Sequence, residues 1–122
     1  MTDKEKGLIL MDISHRLVYG VKIKIHYKQN GKYGIDVLDV SMVFIEKIVN
    51  DLRNGVITEI KEFLRPISSM TDKEFKKLSE ILLRTANTTS LLGASPQALD
   101  YLYSIGIDVS NLLKKGLAIE EK

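Results

Sequence analysis

Two histidines, His15 and His26, no cysteine and no tryptophan stand in a chain of 122 residues, so the side chains that most often bind metal or carry catalysis are scarce. The histidines are unclustered and match none of the zinc-ligand spacings. His15, next to Arg16, reads as a helix-end residue near the negative end of the dipole, and His26 as a residue on the wet face of a strand. Without cysteine there are no disulfides, thiolate ligands or thiol nucleophiles, and the compartment stays open. A P-loop would place glycine where His26 stands and Ser or Thr where Tyr33 stands, around Gly31-Lys32, so that motif is absent. The glycines lie singly, with no dinucleotide fingerprint, and no serine sits in a Gly-x-Ser-x-Gly elbow. Of the paired carboxylates, Asp36 and Asp39 fall on opposite faces of a strand. Glu59 with Glu62, and Glu120 with Glu121, read as solvated surface. No catalytic residue, metal site or cofactor is implied.

Two clusters have binding chemistry. Lys22, Lys24, Lys28 and Lys32 form a basic row on a hairpin close to Tyr27, Tyr33 and His26, an arrangement with which small barrels bind nucleic acid. It reads more simply as a lysine-protected strand that resists edge pairing, because phosphate chains require several ion contacts and the net charge is only +2. In the run Leu64-Arg65-Pro66-Ile67-Ser68-Ser69-Met70-Thr71, Pro66 holds Arg65 extended. The hydroxyls of Ser68, Ser69 and Thr71 gather there at the positive start of a helix. With Arg65 this nest could hold a carboxylate or phosphate. The alternative is internal: Arg65 bridges carbonyls or a carboxylate while Thr71 caps the helix.

The elements that position these residues follow from hydrophobic period. Thr2 caps a first helix with Asp3 and Glu5 in its first turn, and Leu8, Ile9, Asp12, Ile13, Arg16 and Leu17 form one largely apolar stripe. From Val21 the period becomes two: Val21, Ile23, Ile25 and Tyr27 alternate with Lys22, Lys24, His26 and Lys28. Asn30-Gly31 is a tight-turn pair, and a second strand runs from Lys32 to Val40. This hairpin sets Ile23 opposite Leu38 and Val21 opposite Val40, but also Ile25 opposite Asp36. Ile35 and Val37 fall on the lysine face, which predicts a bulge or a sheet covered on both sides. Residues 42–55 fit either a helix, with Ser41 as cap and Gly55 as stop, or a buried third strand; the strand is the expectation. Val56 and Ile57 supply a short further strand before Glu59 to Phe63.

The last third is helical. Thr71 and Glu74 form a capping box before Phe75, Leu78, Ile81 and Leu82. Residues 85–99, poor in charge, read as a surface loop, and Ser95-Pro96 as a helix start. That helix carries Ala98, Leu99, Leu102 and Tyr103 and ends at Gly106. Asp108 caps a last short helix through Leu112 and Leu113, closed by Gly116, and the apolar 117–119 tail docks on the core. The expected architecture is α+β: an N-terminal helix, a small antiparallel sheet or partly open barrel, then C-terminal helices, all in one domain spanning 1–122.

Hydrophobic residues at 44% and charged residues at 28% give an ordinary globular balance. No run is long enough for a membrane span, and the apolar 8–11 run is too short for a signal-peptide core. Neither a membrane nor a nucleic-acid partner is implied.

Three motifs in order, Arg16-Leu17-Val18-Tyr19-Gly20-Val21-Lys22, then the Arg65-Pro66 run through Thr71, then Lys115-Gly116-Leu117-Ala118-Ile119-Glu120, cover most of the chain. In these the sequence resembles a family of small uncharacterised proteins of Bacteroidetes genomes, prophages and phages. Its members carry Arg-Leu-Pro-Tyr-Gly, then Leu-Arg-Pro-Leu/Met-Ser-Ser-Met-Thr, and a Lys-Gly-Leu-Ala run; Val18 stands where proline is usual. The resemblance implies a phage or mobile-element accessory protein made in a bacterial cytoplasm, and carries over no catalytic residue. The resulting expectation is a non-enzymatic module that binds a host or phage protein and can form a homo-oligomer. The alternatives are a small anionic-ligand binder using the Arg65 nest, a nucleic-acid binder, and a minor virion component.

Overall fold

A computed structural model describes residues 1–42, 44–84 and 96–121. Helix α1, Asp3–Arg16, starts at a reciprocal cap: Glu5 N donates to Thr2 Oγ1 at 3.1 Å and Thr2 N to Glu5 Oε1 at 2.8 Å. Its buried stripe is Ile9, Asp12, Ile13 and Arg16, so two charged residues enter the core with the isoleucines.

Strands β1, Val21–Gln29, and β2, Lys32–Val40, form the expected hairpin, with Asn30 at φ 53° and Gly31 at φ 77°. Those paired left-handed residues give the tight turn the twist that the strands require. Pairing is regular from Gln29↔Lys32 to Val21↔Val40, including Ile25↔Asp36. Asp36 is tolerated opposite Ile25 because it is exposed to solvent. Neither explanation expected for Ile35 and Val37 applies within the hairpin. It contains no bulge, and both side chains lie exposed on the lysine face. The bulge falls elsewhere, between His26 and Tyr27 where β1 meets β3.

Residues 45–53 form helix α2, Ile45–Arg53, and not the strand expected over 42–55. A strand would bury alternate residues, whereas burial here recurs at Ile48 and Leu52, with Phe44 left outside. A Lys47–Asp51 pair at 2.7 Å braces the outer surface one turn apart. Strand β3, Ile57–Leu64, then pairs antiparallel with β1, and β4, Ala118–Glu120, lies parallel to β3. The sheet is therefore mixed and open, in the order β2-β1-β3-β4; the purely antiparallel expectation fails because the C-terminal tail docks as a parallel strand.

A short 3-10 turn, Ile67–Ser69, leads into α3, Asp72–Arg84, whose Thr71–Glu74 capping box is present. Helix α4 is Pro96–Ser104, so residues 96–99 belong to it, while the expected loop over 85–95 and the Ser95 cap lie outside the described residues. Gly106, at φ 79°, turns the chain after α4. The short helix expected after Asp108 is replaced by successive turns. Asn111 adopts φ 60°, a left-handed conformation that interrupts helical geometry. Ile9, Ile13, Ile23, Ile60 and Leu112 meet at the centre of the core, on one face of the sheet. The architecture is α+β.

Candidate functional site

Pro66 keeps the backbone before the 3-10 turn extended, and this aims Arg65 back over α3. Its guanidinium takes both oxygens of Glu74, at 2.9 and 2.7 Å, and donates to Ser69 O at 3.0 Å, Ser69 Oγ at 3.3 Å and Ile105 O at 3.1 Å. Glu74 also accepts from Thr71 N at 2.9 Å. The Arg65 hydrogen bond, then the Thr71 amide, hold the Glu74 carboxyl down to about 2. The nest thus brings Arg65, Ser69 and Thr71 together around an internal carboxylate. Ser69 Oγ is further tied to Pro66 O at 2.7 Å, and Ser68 is exposed. An external carboxylate or phosphate at this place would compete with Glu74.

Lys22, Lys24 and Lys28 share the outer face but not one site, and Lys32, opposite Gln29, falls on the inner face, so the four do not form one row. Lys22 lies over the Phe63 ring at 5.1 Å, and Lys28 over Tyr33 at 5.3 Å. Asp39 pairs across from Lys22, and Glu59 and Lys61 pair across from His26 and Lys24. Glu59 lies 3.8 Å from His26 and 3.4 Å from Lys61. The face is mixed in sign, not a continuous cationic track.

The sequence reading missed a buried polar cluster. Arg16 Nε is 2.7 Å from Asp12 Oδ2 and 3.7 Å from Glu62 Oε1, and Nη2 donates to Ile107 O at 2.7 Å. Tyr103 covers the guanidinium at 4.8 Å and stacks on His15 at 5.0 Å. Glu62 is not solvated surface: it is 0% exposed, in phase with Ile60 and Leu64 on β3. Burial pushes its carboxyl up to about 10, the Asp12 carboxylate adding to the effect and Arg16 opposing it. At neutral pH the cluster is one ion pair beside a neutral acid. The readable signal was an Asp-Arg pair one turn apart inside an apolar stripe.

Above Arg16 and Arg65 opens a cleft of about 540 Å³, lined among others by Tyr19, Lys22, Tyr103 and Glu121. Arg65 spends its donors on Glu74, Ser69 and the Ile105 carbonyl. Arg16 spends Nε and Nη2 on Asp12 and the Ile107 carbonyl, while its buried Nη1 has no hydrogen-bond partner among the described residues. The geometry of the two arginines holds the chain after α4 against α1 and β3. No group of three or more His, Asp or Glu that could hold a metal occurs among the described residues. No helix there is long and apolar enough to cross a membrane.

The sheet's outer face is different in kind. Tyr33, Ile35 and Val37 stand in a row on β2, exposed by 76%, 59% and 47%. β2 is also the terminal strand of the sheet, so its outer row of backbone amides and carbonyls has no strand beside it among the described residues. On the other side of β2, an apolar groove of about 290 Å³ runs past Leu38, Val40, Phe44 and Ile48. Apolar surface on both faces of a strand whose outer edge is free is what docking surfaces offer.

Compared with protein-family models, curated proteins and solved structures, the chain matches none.

Proposed function

We propose that this protein is an interaction module without catalysis of its own, docking through the outer face and free edge of β2. The observation that carries the reading is the exposed row Tyr33, Ile35 and Val37 on a terminal strand. Natural proteins protect such edges with inward charges, bulges or covering loops unless the edge is used. Lys22, Lys24 and Lys28 lie on β1, one strand in, and on β2 Lys32 and Asp36 fall on the inner face, so that Ile35 and Val37 stay exposed while Lys28 reaches over Tyr33. Arg65, by contrast, is held on both oxygens of Glu74, and Arg16 is buried with Nε on Asp12 and Nη2 on the Ile107 carbonyl, which favours docking over capture of a small anion. The likeness of the motifs at 16–22, 64–71 and 115–120 to small Bacteroidetes and phage proteins supports a role as a phage or prophage accessory protein. It would act in the bacterial cytoplasm on a host or phage protein.

The test is affinity capture from a Bacteroidetes lysate with the wild-type chain and with the Ile35→Lys/Val37→Lys variant. A protein retained in stoichiometric amount by the wild type and lost by the folded variant supports the reading. Equal retention by both, or retention of nothing by a wild type that also elutes as a monomer, overturns it.

A further inference from the structure

We infer that the occupant of the β2 edge is a second copy of the same strand, paired antiparallel about a twofold axis at Ile35; the inference rests on the docking reading above. The direction of the free hydrogen-bonding groups comes first. Lys28 N donates to Val56 O, and Thr58 Oγ1 donates to His26 O, so the even-numbered β1 residues turn their backbone groups towards β3. Their partners across the hairpin, Tyr33 opposite Lys28, Ile35 opposite His26 and Val37 opposite Lys24, therefore turn theirs away from β1, to the open edge. The residues with exposed apolar side chains are the same ones whose amides and carbonyls await a partner.

Twofold pairing of identical antiparallel strands keeps side-chain faces matched, so the axis must pass beside one residue. With the axis at Ile35, Ile35 faces its own copy and Tyr33 faces Val37 of the other copy, all as hydrogen-bonded pairs on the outer face. On the inner face Asp36 sits across from Gly34 of the other copy and diagonal both to its Lys32, an attractive charge contact, and to its Asp36. The neighbouring registers are worse. An axis at Asp36 sets that carboxylate against itself and Tyr33 against Asp39. An axis at Val37 sets Ile35 against Asp39. An axis at Gly34 moves Val37 beyond the strand, opposite Gly31 of the turn. Only the Ile35 axis joins the three apolar side chains with no like charges directly opposed.

The native chain has no cysteine, so single cysteines on this exposed row report the register directly. In the inferred pairing the two copies of residue 35 lie about 5.5 Å apart, whereas two copies of residue 37, or of residue 33, lie about 14 Å apart. A short bis-maleimide spacer should link Ile35→Cys into a covalent dimer with at least tenfold higher yield than Val37→Cys or Tyr33→Cys. The double variant Tyr33→Cys/Val37→Cys should restore the yield. Sedimentation should show wild-type dimer and Ile35→Lys monomer, with unchanged circular dichroism. Equal linking at positions 33, 35 and 37, or a wild type monomeric at every concentration, overturns the self-pairing. If that monomer still captures a lysate protein through Ile35 and Val37, the second copy is excluded while the docking reading stands. If it captures none, both fall.

Discussion

Arg16 and Glu62 face each other at 3.7 Å in a part of the core where neither side chain reaches solvent. The guanidinium spends its closest contacts on Asp12 and on the carbonyl of Ile107. Glu62 therefore has the proximity of a cation without a hydrogen bond from it, and burial keeps its proton on.

That proton makes stability fall with rising pH. In the unfolded chain Glu62 ionises near its ordinary 4.5, and in the folded protein at about 10. Below 4.5 both states hold the proton and the group contributes its full stabilisation. Between those values the folded state binds more protons than the unfolded, so this contribution declines as the pH rises. Glu62→Gln keeps the shape and removes the titration. Urea unfolding should find the variant more stable than wild type at pH 8, by a few kcal/mol, and nearly equal to it at pH 4. A wild-type advantage at pH 8 would mean that Glu62 is ionised in the fold.

Arg65 and Glu74 predict the opposite slope. The Glu74 carboxyl is held at about 2 against an ordinary 4.5, so its contribution is present above 4.5 and is lost as the pH falls towards 2. Glu74→Gln should melt below wild type at neutral pH, and the two curves should converge in acid. Arg65→Lys keeps the charge but cannot reach Glu74, Ser69 and Ile105 together. Its melting midpoint should fall by roughly 5 °C, although charge is conserved.

Local signals in the chain were enough to read the Thr2 cap, the Thr71–Glu74 capping box, the hairpin turn and the pairing a two-residue turn imposes, because each depends on residues close in sequence. The bulge expected in that hairpin is not there. Helix α2 was not legible: Phe44, Ile45, Ile48 and Val49 satisfy both periods, and only the packing of Ile48 and Leu52 decides between them. The parallel β4 strand was hidden because its partner β3 lies more than fifty residues away. The nest residues were found but their use was not, since Ile105 reaches Arg65 only through the fold. Glu62 was misread as surface for the same reason: a carboxylate on a strand is solvated unless a helix covers that face, and α1 does.

Asp108 stands where a helix was expected and instead organises turns. Its Oδ1 accepts from Ser110 N at 3.2 Å and Leu112 N at 3.0 Å, and its Oδ2 from Leu113 N at 2.9 Å. Removing it strands amides beside the buried Leu112. Asp108→Ala should cost about 1–3 kcal/mol in chemical unfolding. Asp108→Asn retains one acceptor oxygen and should fall between. Hydrogen exchange at the Leu113 amide should accelerate in both variants, and an unchanged rate would show that the cap is dispensable.

Gly34 and Tyr27 are cross-strand partners on the inner face of the hairpin. A Cβ built on Gly34 would run into the Tyr27 ring, at Cζ and the hydroxyl oxygen, so the ring fills the space a side chain would take. The glycine is there for the ring, not for its backbone freedom, since its φ is not in the left-handed region. Gly34→Ala should therefore push the ring aside and cost about 1–2 kcal/mol. In a Tyr27→Ala background the same change meets no ring, and it should be neutral or stabilising because alanine loses less freedom than glycine in a strand. The double-mutant cycle measured by urea unfolding gives the coupling directly. A cost that persists without the tyrosine would place the constraint in the backbone of β2 instead.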